Sequence, residues 1–119
     1  MTQNPHLDVV TQFYDTHPIS EQQVLKSLAQ DDVDLSSLDQ GTLQNYDQDH
    51  FGGPAATDTL AHLANIGQSD HVIDVCCGLG GPARYLAYHY GCRVTGIDLN
   101  WNRIDGAQRL TGRVGLEDQ

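Results

Sequence analysis

Two carboxylates and two glycines carry most of the chemistry this sequence can offer. Residues 72–81 read Val-Ile-Asp-Val-Cys-Cys-Gly-Leu-Gly-Gly, and residues 92–98 read Cys-Arg-Val-Thr-Gly-Ile-Asp. The first run carries Asp74 and leads into a turn built on Gly78 and Gly80; the second ends on Asp98. Glycine reaches positive φ without strain and lets a ligand approach the backbone with no Cβ in the way. A helix opening behind such a turn presents unpaired N–H groups and the positive end of its dipole. Asp98 stands 20 residues after Gly78 (98 − 78), at a strand tip, where a carboxylate can accept two hydrogen bonds from a ribose diol. Strand, glycine turn, helix and a second strand tipped by an acid make one half of a nucleoside-binding site.

Such a half-site suits a dinucleotide or an adenosyl cofactor, and Asp74 helps to separate them. It lies four residues before Gly78. A fixed carboxylate there repels a pyrophosphate and attracts an ammonium and a sulfonium. S-adenosylmethionine carries both cations, whereas NAD carries the pyrophosphate. Methyl transfer asks for in-line alignment and exclusion of water more than for reactive side chains. The lack of a catalytic triad, a Walker lysine or zinc-ligand spacing is consistent with that chemistry, and no metal is expected.

The elements that must position these residues read as follows. Leu7, Val10, Phe13 and Tyr14 recur at helical spacing up to a break at His17-Pro18. Ser20-Glu21-Gln22-Gln23 is a capping-box pattern, followed by a stripe of Val24, Leu25 and Leu28. Residues 31–34 form an acidic turn, 35–46 an ambiguous stretch with room for a short helix, and 47–54 a loop. A helix is predicted over 55–66, with Leu60, Leu63 and Ala64 on one face and Gly67 closing it. The apolar run 72–75 reads as a parallel strand covered on both faces. A helix follows from residue 80 or 81 to 90, with Pro82 near its first position and Gly91 just past its end. The second strand spans 93–97. Asn100 caps a helix over 101–114 whose apolar face is Ile104, Ala107 or Gln108, Leu110 and Val114. Two strands do not make a self-sufficient sheet, which takes about three. A third strand is therefore expected near residue 119, and the chain reads as the N-terminal portion of a larger doubly wound domain.

Bulk properties narrow the partners. Sixteen acids face six bases, a net charge of −10, and the excess lies in residues 1–70, which hold eleven acids and one base, Lys26. An acidic surface repels phosphate backbones and anionic lipid, so neither nucleic acid nor a membrane is expected as a partner. Cys76, Cys77 and Cys92 are odd in number and form no CxxC pair, which argues for buried reduced thiols and a cytoplasmic location. The first six residues show no basic patch followed by an apolar run, so no signal peptide is expected.

Residues 72–81 resemble motif I of the class I S-adenosylmethionine-dependent methyltransferases, and Val94-Thr95-Gly96-Ile97-Asp98-Leu99 resembles that family's second-strand motif. The Gly-Leu-Gly-Gly turn and the upstream Gly52-Gly53-Pro54-Ala55-Ala56-Thr57 look closest to the small-molecule, phosphoethanolamine and sarcosine type. The likeness covers about residues 46–116. It implies an α/β fold: the N-terminal part of a doubly wound, Rossmann-like methyltransferase domain preceded by helices. Residues 1–54 would be a helical N-terminal extension and cofactor lid, and 55–119 the first βαβα portion. The resemblance implies S-adenosylmethionine as cofactor and methyl transfer to a small-molecule N or O acceptor. Asp74 would sit near the methionine amino group. The backbone at Cys76, Gly78 and Gly80 would line the methionine and ribose portions, Asp98 would bind the ribose hydroxyls, and Leu99 would flank adenine. Tyr46 and His50 are the residues of segment 46–53 most able to hydrogen-bond a carboxylate or an acceptor. One departure is Cys76, which stands where the family has its first glycine; the turn survives this if φ there is negative.

Each residue also has a plainer reading. Asp74 can cap the turn's amides, Asp98 can cap the next helix, and His50 can be a loop histidine bonded to backbone. Cys76 and Cys77 could be a redox or metal pair, though packing is the commoner role. Trp101 and Tyr85 could stack on adenine or simply pack. His62 and His89 read as helix-surface residues. Two rival functions stay open. Residues 78–83 fit G-x-G-x-x-A, as in an NAD(P)-dependent oxidoreductase half-domain. The chain could also be a non-catalytic piece.

Overall fold

The computed structural model describes residues 4–17 and 19–119. Among them the order is α1 (Pro5–Asp15), α2 (Glu21–Gln30), a 3₁₀ turn (Leu35–Ser37), α3 (Gln40–Leu43), α4 (Gly53–Leu63), β1 (His71–Val75), α5 (Gly81–Tyr90), β2 (Arg93–Ile97) and α6 (Trp101–Arg113). Pro18, half of the expected break after α1, lies outside the described residues. Local chemistry explains most boundaries. Ser20 caps α2 by accepting from the Gln23 N–H, Asp39 caps α3 through Thr42, and Asn100 caps α6 through Arg103. Pro82 sits in the first turn of α5, and Gly91 ends that helix in the left-handed region at φ 67°.

β1 and β2 pair in parallel, His71 with Arg93 through Val75 with Ile97. Val72 and Val94 face α4 and α5, where Ala61, Leu86 and Cys92 close a small apolar cluster. Ile73, Val75 and Ile97 are exposed. The strand expected to be covered on both faces is thus covered on one: α4 and α5 lie over Val72 and Val94, and the alternate residues Ile73, Val75 and Ile97 stay exposed. α4 also departs from its expected orientation. It starts at Gly53, and Thr57 and Ala61 are its buried residues, while Leu60 and Leu63 point outward. α5 approaches α4 closely, and small side chains fit that contact. Past α6 the chain returns to the outer edge of β2, where the Gln119 carbonyl accepts from the Val94 N–H at 2.9 Å.

The main core joins the two ends of the chain. Val24 and Leu28 of α2, Leu38 and Leu43 meet Leu79 of the glycine turn and Leu110 of α6. Beside it lies a buried ion pair. Arg84 of α5 donates to Asp47 at 2.9 Å, with side-chain exposures of 3% and 0%, and also reaches the Ala107 carbonyl and the Thr111 hydroxyl. Gly81 permits this docking, since a Cβ there would run into the Asp47 backbone carbonyl. Removing one partner of a buried pair leaves the other charge desolvated and unmatched, at a cost of about 3–5 kcal/mol. Arg84→Ala is accordingly expected to lower the unfolding free energy by about that much in urea titration. Arg84→Met combined with Asp47→Leu is expected to recover most of the loss, and a double variant as unstable as the single one would contradict the assignment.

Candidate functional site

A cavity of about 390 Å³ opens between the glycine turn, the tip of β2, α1 and the 47–50 loop. Asp74, Cys76, Gly78, Asp98, Leu99 and His50 all line it. Two sequence candidates do not. Gly80 is buried behind the turn against Arg84. Tyr46 packs beside the main core and donates its hydroxyl to Asp31 at 2.7 Å, which takes it out of the site. Trp101 and Tyr85 are outside as well: Trp101 is exposed, and Tyr85 is buried with its hydroxyl on Asp58 at 2.9 Å.

The turn is built by three left-handed residues, Cys76 at φ 61°, Gly78 at 54° and Gly80 at 77°. The negative φ anticipated for Cys76 is therefore not what the turn adopts. The Cys77 N–H must reach the Ile97 carbonyl at 3.0 Å, and the chain accomplishes that reversal by a left-handed step at Cys76, the position that glycine would occupy without strain. Cys76 is also exposed, unlike Cys77 and Cys92, so the expectation of three buried thiols holds for two. Burial, with Asp74 and Asp98 nearby, pushes the Cys77 thiol up to about 11, and it stays protonated at neutral pH.

Asp98 helps to build the site that it lines. Its Oδ2 accepts from the Gly78 N–H at 2.8 Å and its Oδ1 from the Asn100 N–H at 2.9 Å. One carboxylate thus joins the glycine turn to the start of α6. A carboxylate offers about four acceptor directions, so each oxygen retains room for another donor. Asp74 is different. It is half-buried, and its Oδ2 is buried with no hydrogen-bond partner among the described residues. Burial first, and then repulsion from Asp98, raise its pKa above the ordinary aspartate value, partly offset by His50. The other two acids on the wall are matched, Asp47 by Arg84 and Asp49 by Arg103 at 3.2 Å. Asp74 and Asp98 are left as charges without an ion-pair partner among the described residues.

His50 lies at the cavity with both ring nitrogens engaged. Nδ1 meets the Phe51 carbonyl at 3.2 Å, and Nε2 meets Gln48 Oε1 at 3.0 Å and the Thr57 hydroxyl at 3.4 Å. Its backbone-bonded reading is thus realised at Nδ1. Sequence reading missed Arg103, which is buried on the cavity wall. A signal existed: Arg103, Gly106, Ala107 and Leu110 share one side of α6, and a glycine inside a helix marks close approach. Among the described residues no three His, Cys, Asp or Glu side chains are grouped to hold a metal ion, and no helix is long and apolar enough to cross a membrane.

No family model matches the chain, and no solved structure does. Similar curated proteins include several methyltransferases. A sterol 24-C-methyltransferase of Eremothecium gossypii is 47% identical over 60 residues, half of this chain and 16% of that protein. The methyltransferase phqN of Penicillium fellutanum is 40% identical over 60 residues, again half of this chain and 18% of the relative. The sterol 24-C-methyltransferase ERG6 of Saccharomyces cerevisiae is 43% identical over 60 residues, half of this chain and 16% of its own length. The chain therefore matches about one sixth of the length of these relatives.

The left-handed cysteine generates a test. A non-glycine residue held in that region costs about 1–3 kcal/mol, offset in part by the greater unfolded-state freedom of glycine, about 0.5–1 kcal/mol. Cys76→Gly is expected to raise the unfolding free energy by about 1 kcal/mol, and Cys76→Val to lower it. Urea midpoints of the two variants check the sign.

Proposed function

We propose that this chain is part of an S-adenosylmethionine-dependent methyltransferase that acts on a small-molecule acceptor. Asp74 carries the reading: a carboxylate oxygen buried at the cavity without a partner, beside a second unmatched acid, calls for a cation. A ligand bearing an ammonium and a sulfonium supplies that charge, and the pyrophosphate of NAD opposes it. The methyltransferase relatives support the same choice over an oxidoreductase half-domain.

The residues present fit the cofactor. Asp74 would take its ammonium, directly or through water. The backbone of Cys76 and Gly78 would line its methionine and ribose portions, with Gly80 shaping the turn from behind. Asp98 would accept ribose hydroxyls on its remaining lone pairs while still holding Gly78, and Leu99, exposed at the mouth, would flank adenine. When bound, S-adenosylmethionine supplies an electrophilic methyl group. The chain's own part is to orient and to exclude water: Val10 and Tyr14 of α1 close one side and the 47–50 loop another, and these two walls are the parts of the N-terminal extension that would act as a lid. His50 is the remaining candidate to hold or move an acceptor proton, and it must release Gln48 or Thr57 to do so.

The likeness to the phosphoethanolamine and sarcosine type favours N or O as the methylated atom; relatives named for sterol 24-C methylation add carbon. The acidic surface favours a small molecule over nucleic acid or a membrane, in a cytoplasmic setting.

Titration calorimetry with S-adenosylhomocysteine, S-adenosylmethionine and NADH tests the proposal. The first two are expected to bind, and NADH binding alone would overturn it. Asp74→Asn removes a charge-assisted bond of about 1.5–3 kcal/mol and is expected to weaken S-adenosylmethionine by roughly 10- to 150-fold.

Acidity gives a second check. With its folded pKa raised, Asp74 binds more proton in the folded than in the unfolded chain between its unfolded and folded pKa values, so its own contribution to ligand-free stability falls as pH rises through that range. Affinity for the cationic ligand is expected to move the opposite way, rising as Asp74 ionises. In Asp74→Asn both dependences should flatten, and a variant that keeps the wild-type pH profile would remove Asp74 from the site.

A further inference from the structure

We propose that Arg103 is a positioning residue that latches α1 over the cavity, so that seating a ligand on the glycine turn and closing α1 are one event. The latch itself is independent of the cofactor reading; only the choice of ligand probe rests on it.

Apolar packing holds α1 only weakly. None of its described residues is buried, and none belongs to either apolar cluster. Its attachments are polar and converge on the first turn of α6 and the cap before it. Asn100 and Asn102 both donate to Asp15, at 3.0 and 2.9 Å, and Asn100 also reaches the Thr11 carbonyl at 3.4 Å. Arg103 is the centre of this set. Its guanidinium lies 5.2 Å from the Tyr14 ring centroid, within cation–π range. It donates to the Ile19 carbonyl at 3.0 Å and to Asp49 at 3.2 Å, the latter carboxylate standing 3.8 Å from His17. Its Nη1 lies 3.3 Å from where a Cβ on Gly78 would be. One side chain, only 7% exposed, therefore touches α1, the approach to α2, the 47–50 loop and the turn on which a ligand would rest. Its Nε is buried without a partner among the described residues, so the guanidinium keeps this position at the expense of one of its own hydrogen bonds. A group laid against Gly78 comes up against that guanidinium, and any shift there is passed to Tyr14 and Asp49.

Hydrogen–deuterium exchange on the full chain tests the latch, with wild type, Arg103→Ala, Arg103→Lys and Asp49→Asn compared with and without S-adenosylhomocysteine. Without ligand, Arg103→Ala is expected to speed exchange over residues 5–17 by at least about tenfold, the loss of one charge-assisted bond, with residues 71–97 unchanged. Arg103→Lys should restore part of the protection. Ligand should slow residues 5–17 in wild type and fail to do so in Arg103→Ala. If Arg103→Ala unfolds, seen as fast exchange in 71–97, Asp49→Asn must loosen 5–17 instead, Asp49 being the more exposed partner. Unchanged exchange in 5–17 in the variants, or equal ligand protection in wild type and Arg103→Ala, overturns the latch. Wild type that fails to bind S-adenosylhomocysteine while Arg103→Ala still loosens α1 would overturn the cofactor reading and leave the latch standing.

Discussion

The buried pair between Arg84 and Asp47 is the constraint on which the site depends. Asp47 is fully buried, and its charge is tolerable there because a guanidinium 2.9 Å away matches it. That guanidinium is itself held by the end of α6, through Ala107 and Thr111. One interaction therefore fixes α5, α6 and the 47–50 loop relative to one another. The wall of the cavity that carries Asp49 and His50 continues directly from Asp47, and it stands where it does because Asp47 is anchored behind Gly81.

Charge matching then separates structural acids from acids that face the cavity without a partner. Asp47 and Asp49 each have an arginine; Asp74 and Asp98 have each other nearby and no cation in contact among the described residues. Asp98 is stabilised by two backbone N–H groups, whereas Asp74 has a buried oxygen with no donor among the described residues. Holding a carboxylate in that state costs stability, and such a cost at a cavity wall is the usual mark of a group kept for a ligand. The same arrangement holds Cys77 as a neutral thiol at neutral pH.

Much of this was legible along the chain because its causes are local. Capping side chains, Pro82, Gly91 and the Gly78–Gly80 pair act within a few residues, so α2, α5, α6, both strands and the glycine turn lie close to where pattern reading puts them. Leu60 and Leu63 show the limit of that reading. Apolar spacing identifies a helix but not its rotation, and the small residues Thr57 and Ala61 took the inward face because α5 comes close there. Tyr46 shows it again: its promise as a ligand-binding hydroxyl was removed by Asp31, fifteen residues away.

Residue order alone established the strand–turn–helix–strand unit and the two acids at its tips, because hydrophobic period, glycine freedom and helix capping are properties of short segments. Folding in three dimensions settled which acids are neutralised, that Cys76 takes a left-handed conformation, that Tyr46 leaves the site, and that Arg103 enters it. Those outcomes turn on partners separated by 15 to 84 residues, and electrostatic matching between such distant groups is set by packing, which no local pattern encodes.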